Sequence, residues 1–232
     1  MDFLSNIAQQ IILFFFGVTK MLGIPNYGIA IILMTIAVKL AMYPLTKKQI
    51  ESTKAMMSLQ PKMDAIRAKY KDDKVRMNAE LANLYKTENI NPLSGCLPLL
   101  IQFPIMIGIF YGIRDLTAAH VFDEYPDFLM WNIAVTPTEA AAGDIASAAF
   151  MVYMILPVIS CITTFISSKQ TMPSSGSAGG AQGKMMLYFM PLFILYISKD
   201  FPIGLILYWV VMNFMQIGQQ CLMNKAAGKS MF

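Results

Sequence analysis

YGIAIILMTIAVKLAMYPL, residues 27–45, is almost wholly apolar and carries one charge, Lys39. A helix needs about 20 predominantly apolar residues to cross the hydrocarbon core of a bilayer. In a soluble domain a helix of this kind would be apolar on every face, with little to cover it. Reading this one segment decides the fold class: the chain crosses a membrane on α-helices.

Four further segments extend the pattern. GCLPLLIQFPIMIGIFYGI occupies 95–113, and the others fall at 145–167, 185–198 and 203–223. The fourth is short. Lys199, Asp200 and Pro202 set it off from the fifth, which is the spacing of a tight helical hairpin. Composition agrees: 56% of the 232 residues are hydrophobic and 14% charged, against about 25% charged in a soluble domain. The expected fold is an all-α polytopic membrane protein of five transmembrane helices.

Residues 1–24 are of another kind. The apolar run at 11–18 is too short to cross, and Ser5, Asn6, Gln9 and Gln10 recur at helical spacing before it. Asp2 stands where a signal peptide is basic, and no A-x-A site follows. An amphipathic helix lying in the membrane plane is expected. Residues 25–45 form the first span. Residues 46–92 hold ten basic and six acidic side chains. There apolar residues step by three and four, first through Met56, Leu59, Met63, Ile66 and Tyr70, then through Met77, Leu81 and Leu84. With a turn at Lys71-Asp72-Asp73 and an interruption at Pro61, this reads as a water-exposed helical hairpin. Residues 93–232 carry the remaining spans and loops. Residues 115–144 contain six acids and no Lys or Arg, the composition of a solvated loop, and SSGSAGGAQG at 174–183 reads as a linker.

Basic residues orient the chain. With the hairpin, the 168–185 loop and the C-terminus in the cytoplasm, fourteen of the eighteen Lys and Arg lie inside. The N-terminus is therefore expected outside.

Lys39 needs an explanation. It lies six positions from the end of its span, roughly 9 Å deep at the helical rise. A charge there costs at least ~2.5 kcal/mol unless it meets water or a partner. Snorkelling along its own stem is one solution. A hydrated groove is the other, and it has candidate residues: Thr35 one turn away, Gln102, Thr163, Thr164, Gln219, and the stripe Asn213, Gln216, Gln220 at i, i+3, i+7. A lone cation in a wet pocket suits an anion or an acidic peptide. Enzyme signatures such as a P-loop, HExxH or GxSxG do not occur. Cys96, Cys161 and Cys221 lie far apart in apolar stretches, with His120 the only histidine. No metal site, cofactor or catalytic residue is expected.

Four ordered motifs carry a resemblance: MYPLTKKQ at 42–49, LQPKMDAIRAKYKDD at 59–73, NPLSGCLPLLIQFPI at 91–105 and FPIGLILYWVVMNFMQIGQQ at 201–220. In these the chain resembles the YidC/Oxa-type membrane protein insertases over nearly its whole length. The resemblance implies a hydrophilic groove open to cytoplasm and lipid and closed toward the outside, with a cytoplasmic hairpin and an external in-plane helix. It implies a bacterial inner-membrane insertase and chaperone for small membrane proteins that needs no nucleotide, working alone or with the Sec translocon. It also implies a hydrophobic slide, here Phe103, Pro104, Met106, Phe189, Met190 and Phe193; taken alone, these six equally fit lipid-facing or core packing. Partners expected are nascent or newly made membrane proteins, the lipid bilayer, and the Sec translocon and ribosome, with no specific nucleic-acid sequence. Two departures stand out: Lys39 occupies the position where the family usually has Arg, and no long basic tail follows residue 223, so any ribosome contact is tail-independent. The alternatives are a small-molecule channel or transporter subunit using the same pocket, and a passive assembly factor. Membrane carboxylates, usual in ion-coupled transporters, are missing.

Labelling checks the topology. In a background without native cysteines, Glu124→Cys should react with an impermeant maleimide on intact cells. Asp72→Cys should react only after permeabilisation, and the reverse pattern would invert the orientation.

Overall fold

The computed structural model describes residues 2–88, 90, 97–171 and 185–226. Within them the chain is helical nearly throughout. Helix α1 spans Asp2–Met21, α2 Tyr27–Ala41, α3 Tyr43–Ser58, α4 Gln60–Lys69, α5 Lys74–Thr87 and α6 Leu97–Ala118. A two-stranded hairpin follows (β1 Asp127–Phe128, β2 Trp131–Asn132), then α7 Pro137–Ala140, α8 Ala148–Tyr153 and α9 Ile155–Thr171. A one-turn π-helix at Met185–Phe189 leads into α10, Met190–Ser198, and α11 runs from Ile203 to Ala226. The NPLSGC part of the third motif and the 174–183 linker lie outside the described residues.

By length and composition, Phe3–Met21 and Ala148–Gln170 suffice to cross a bilayer, and α2 with α3 makes a third candidate bent by 64°. The expected second and fifth spans are the single helices α6 and α11, of 22 and 24 residues. The architecture is that of an all-α membrane protein.

The N-terminal helix is longer than its apolar run implies, because α1 is continuous from Asp2. One side of it lies on α6, and the seat is Gly108 and Gly112, a G-x-x-x-G pair that lets two backbones approach. A Cβ on Gly108 would meet the Leu4 carbonyl oxygen at 3.0 Å, and one on Gly112 would meet Ala8 Cβ at 3.0 Å. Ser5, Ala8, Ile12 and Thr19 are buried along this side. The expected polar face divides in two: Ser5 and Gln9 hydrogen-bond the Asp115 carboxylate at the end of α6, while Asn6 and Gln10 stay exposed.

The helix expected as the first span ends sooner than its apolar run does. Helix α2 stops at Ala41, and Pro44 sits in the first turn of α3, where its missing N–H is harmless and its ring fits. The chain turns at Met42 and leaves as α3, whose base buries Thr46, Gln49 and Ile50. Pro61 acts in the same way: it occupies the first turn of α4 and breaks the hairpin's first arm at Leu59. Asp73 caps α5 by accepting from the Arg76 N–H at 2.9 Å. Leu59 and Met63 are buried, and Met63 faces the second arm, where Tyr85 donates to its Sδ at 3.6 Å and Lys62 pairs with Glu88.

The acidic loop is folded, which its composition conceals. Its six acids are all exposed, yet Phe122, Trp131 and Ile133 between them are buried. Tyr27 is the pivot: Phe16 stacks on it at 3.8 Å and Phe122 meets it edge-on at 4.8 Å, so α1, α2 and the loop share one aromatic cluster. The loop then closes on the start of α11. The N–H groups of Ile203 and Gly204, which have no intrahelical acceptor, donate to the carbonyls of Val135 and Ile133 at 3.1 and 2.8 Å. Thr138 adds hydrogen bonds to the Lys199 carbonyl and the Asp200 carboxylate. Hydrogen bonding from the Lys199 ammonium holds the Asp200 carboxyl below its usual range. This cap explains Gly28. A Cβ there would lie 2.3 Å from the Phe128 ring.

Gly28→Val should therefore destabilise the protein by about 1–3 kcal/mol through overpacking, read as a lower Tm in detergent. Phe128→Ala in the same chain should recover part of that loss. A Gly28→Val variant melting with the parent would mean the cap does not seat on α2.

Candidate functional site: a polar seam along α11

Lys39 lies in the last turn of α2, where a cation interacts favourably with the helix's C-terminal carbonyls. Its ammonium reaches across to α11 and donates to Gln216 Oε1 at 3.1 Å. Among the described residues no carboxylate lies within ion-pair distance of it. An ammonium has three donors, and a neutral amide oxygen leaves its charge uncompensated.

One turn earlier on α11, Asn213 serves a different neighbour. Its side-chain amide donates to Thr164 Oγ1 at 2.8 Å and to Thr163 Oγ1 at 3.2 Å, both on α9. Thr163 can accept because its own proton goes back along α9 to the carbonyl of Ile159 at 2.8 Å. Further along, Gln102 of α6 donates to the Tyr208 hydroxyl. Tyr208 is buried at 3% exposure, and its phenol is the partner that makes a glutamine tenable in α6. The stripe thus joins α11 to three helices in turn: Tyr208 to α6, Asn213 to α9, Gln216 to α2.

The remaining candidates divide. Gln220 is buried at the far end of the stripe, and among the described residues its Oε1 has no hydrogen-bond partner. Thr35 is buried but turns its hydroxyl back to the Ile31 carbonyl at 2.6 Å, so its donor is used within α2. Of the six slide residues, Phe103, Pro104, Phe189, Met190 and Phe193 are exposed and Met106 is half-buried. Phe189 and Phe193 stack at 5.7 Å where the π-helix meets α10. Tyr208 is the residue absent from the expected set, while Thr163 is among the candidates. A phenol within the fifth apolar stretch, opposite a span that carries one glutamine, was the available signal for Tyr208. Among the described residues, no three His, Cys, Asp or Glu side chains are placed to share a metal ion.

These elements define a helical membrane protein with a short polar seam inside an apolar bundle. The family described as 60Kd inner membrane protein matches residues 17–230, and the chain belongs to that family. It is 38% identical over 202 residues to a protein of Syntrophus aciditrophicus named Membrane protein insertase YidC, covering 87% of this chain and 34% of that one. Proteins of the same name from Maridesulfovibrio salexigens (38% over 200 residues, 86% and 35% covered) and Treponema denticola (33% over 215 residues, 89% and 35%) are similar. The chain spans about a third of the length of these curated relatives.

Removing the α9–α11 link tests the seam's structural share. Asn213→Leu should lower stability by roughly 1 kcal/mol, the usual size of a hydrogen bond between membrane helices. Thr164→Val should cost less, since Thr163 still accepts. Thermal unfolding in detergent reads both, and an Asn213→Leu variant as stable as its parent would refute the link.

Proposed function

We propose that this chain is a membrane protein insertase, one that helps small membrane proteins enter and fold in the bacterial inner membrane without nucleotide hydrolysis. The observation that carries the reading is Lys39: a cation within the first membrane segment, met by the neutral amide of Gln216 and by no carboxylate. Such a group stabilises incoming negative charge. The name shared by the relatives, Membrane protein insertase, supports the same reading.

In this proposal five helices cross the bilayer around a hydrated groove open to cytoplasm and lipid, with the N-terminus outside and α1 in the membrane plane. The hairpin of α3, α4 and α5 receives a nascent or finished substrate. The substrate's short polar tail enters beside Lys39, where Gln102, Thr164, Asn213, Gln216, Gln220 and water replace part of its bulk solvation. This lowers the cost of taking polar groups into an apolar medium. Thr35 contributes bulk rather than a donor, its hydroxyl being used within its own helix. The apolar part of the substrate leaves along Phe103, Pro104 and Met106 and along Phe189, Met190 and Phe193. Burial in lipid, with the membrane potential acting on an acidic tail, supplies the driving force. The Sec translocon and a ribosome are further partners in this scheme. A channel or transporter has less support, since the seam offers no carboxylate to bind and release an ion.

Purified protein in liposomes, given a single-span substrate with either an acidic or a neutral tail, tests the proposal. Lys39→Arg should retain insertion, because charge and reach persist. Lys39→Ala should impair the acidic-tail substrate more than the neutral one, and Lys39→Glu should be worst. Melting of each variant controls for folding. Equal insertion of both substrates by Lys39→Ala and the parent would sink the cation's role, and no insertion by the parent would sink the function itself.

A further inference from the structure

The tip of the cap hairpin, Leu129–Met130, is built against the rules for a turn in water. Two-residue hairpin turns favour Asn, Asp and Gly, because they require positive φ and face solvent. Leu129 holds φ +57°, a left-handed conformation uncommon for a bulky residue. Its side chain is 76% exposed and that of Met130 60%. The flanking pair is turned inward: Phe128 packs on Gly28, and Trp131 is buried with Leu156, Ile206 and Val210. An inward hydrophobic pair needs no apolar tip, so the tip serves something outside the chain.

The position of the tip identifies the occupant. Trp131 Nε1 donates to the Val152 carbonyl at 2.9 Å, and the Asn132 N–H donates to the Tyr153 hydroxyl at 3.0 Å. Both partners belong to the first turns of Ala148–Gln170, a helix long and apolar enough to cross the bilayer. Val152 lies four residues in, roughly 6 Å along the axis at the helical rise. Two extended residues reach at most about 7 Å from Trp131. The tip therefore lies within about 7 Å of a residue bonded to the first turns of a helix able to cross the bilayer. On that helix Met151, beside Val152, is itself 70% exposed, and Asp127, next to the tip strand, is exposed. Exposed apolar side chains thus occur both at the cap tip and on the first turns of the helix that the tip strand is bonded to.

We propose that Leu129–Met130 is a lipid anchor, a two-residue apolar tip that inserts into the leaflet at that end of the bundle and holds the cap down on α2 and α11. The occupant is the upper acyl chain of the bilayer, and the inference stands independently of any insertion activity.

The test uses the full chain in phosphatidylethanolamine–phosphatidylglycerol vesicles, with Cys96, Cys161 and Cys221 replaced by serine. An environment-sensitive dye is placed in turn at Leu129→Cys, Met130→Cys and Asp123→Cys, the last an exposed cap position away from the tip. Both tip sites should show blue-shifted emission that is quenched by lipid carrying a spin label high on its acyl chain. Asp123→Cys should show neither effect. Met130→Cys leaves the strained backbone position untouched, so it carries the result if Leu129→Cys melts early. Tip emission matching that of Asp123→Cys, unquenched by the labelled lipid, would overturn the anchor. So would a blue shift that grows with protein density but ignores the lipid quencher, because the tip would then be covered by a second copy of the chain.

Discussion

A bilayer offers no water to an unpaired polar group, and each one left alone costs several kcal/mol. The arrangement around α11 answers that constraint. Its first N–H groups are met by the cap, Tyr208 meets Gln102, Asn213 meets Thr163 and Thr164, and Gln216 meets Lys39. α2, α6, α9 and the cap are each tied to α11 by a hydrogen bond that could not be lost cheaply. Apolar contacts, by contrast, exchange one greasy neighbour for another. The polar pairs thereby specify which helices are neighbours, while packing determines how closely they approach, as on Gly108 and Gly112.

The apolar runs were legible in the sequence because the length of a bilayer crossing is a one-dimensional requirement. Lys39 and the Asn213–Gln216–Gln220 stripe were legible for a related reason: a polar side chain in such a run is anomalous without any knowledge of its partner. What the stripe did not reveal is its division of labour. Residues three apart on a helix differ by about 60° in direction, enough for Asn213 to face α9 while Gln216 faces α2. Thr35, one turn from Lys39, shared the right face but bonds its own backbone, an outcome that spacing alone does not distinguish from groove lining.

The cap shows the opposite case. Six acids and no bases made residues 115–144 look like a solvated loop, and the acids are indeed in water. The fold of that loop comes from Phe122, Phe128, Trp131 and Ile133, whose partners Tyr27, Gly28 and Ile203 are about seventy to a hundred residues away in the chain. No local periodicity encodes such contacts. The two prolines behaved more simply than the runs around them implied: Pro44 and Pro61 begin helices, so the first span ends at Ala41 and Lys39 is a last-turn residue. The seat of α1 was written in the chain as G-x-x-x-G, but within an apolar segment it is only one of many small-residue pairs.

The capped start of α11 stands well apart from the polar groups further along it. From the capped end at Ile203 to the side-chain amide of Asn213 is a step of ten residues, roughly 15 Å of helix, in which Leu205, Ile206, Leu207 and Val210 are buried and Tyr208 is paired with Gln102. That is about half the hydrocarbon thickness, closed above by backbone hydrogen bonds and the Tyr27–Phe122 aromatic pair. In the insertase proposal, water that reaches Lys39 and its amides would still have this stretch and the cap between it and the other side, so solvating a substrate need not open a path for ions.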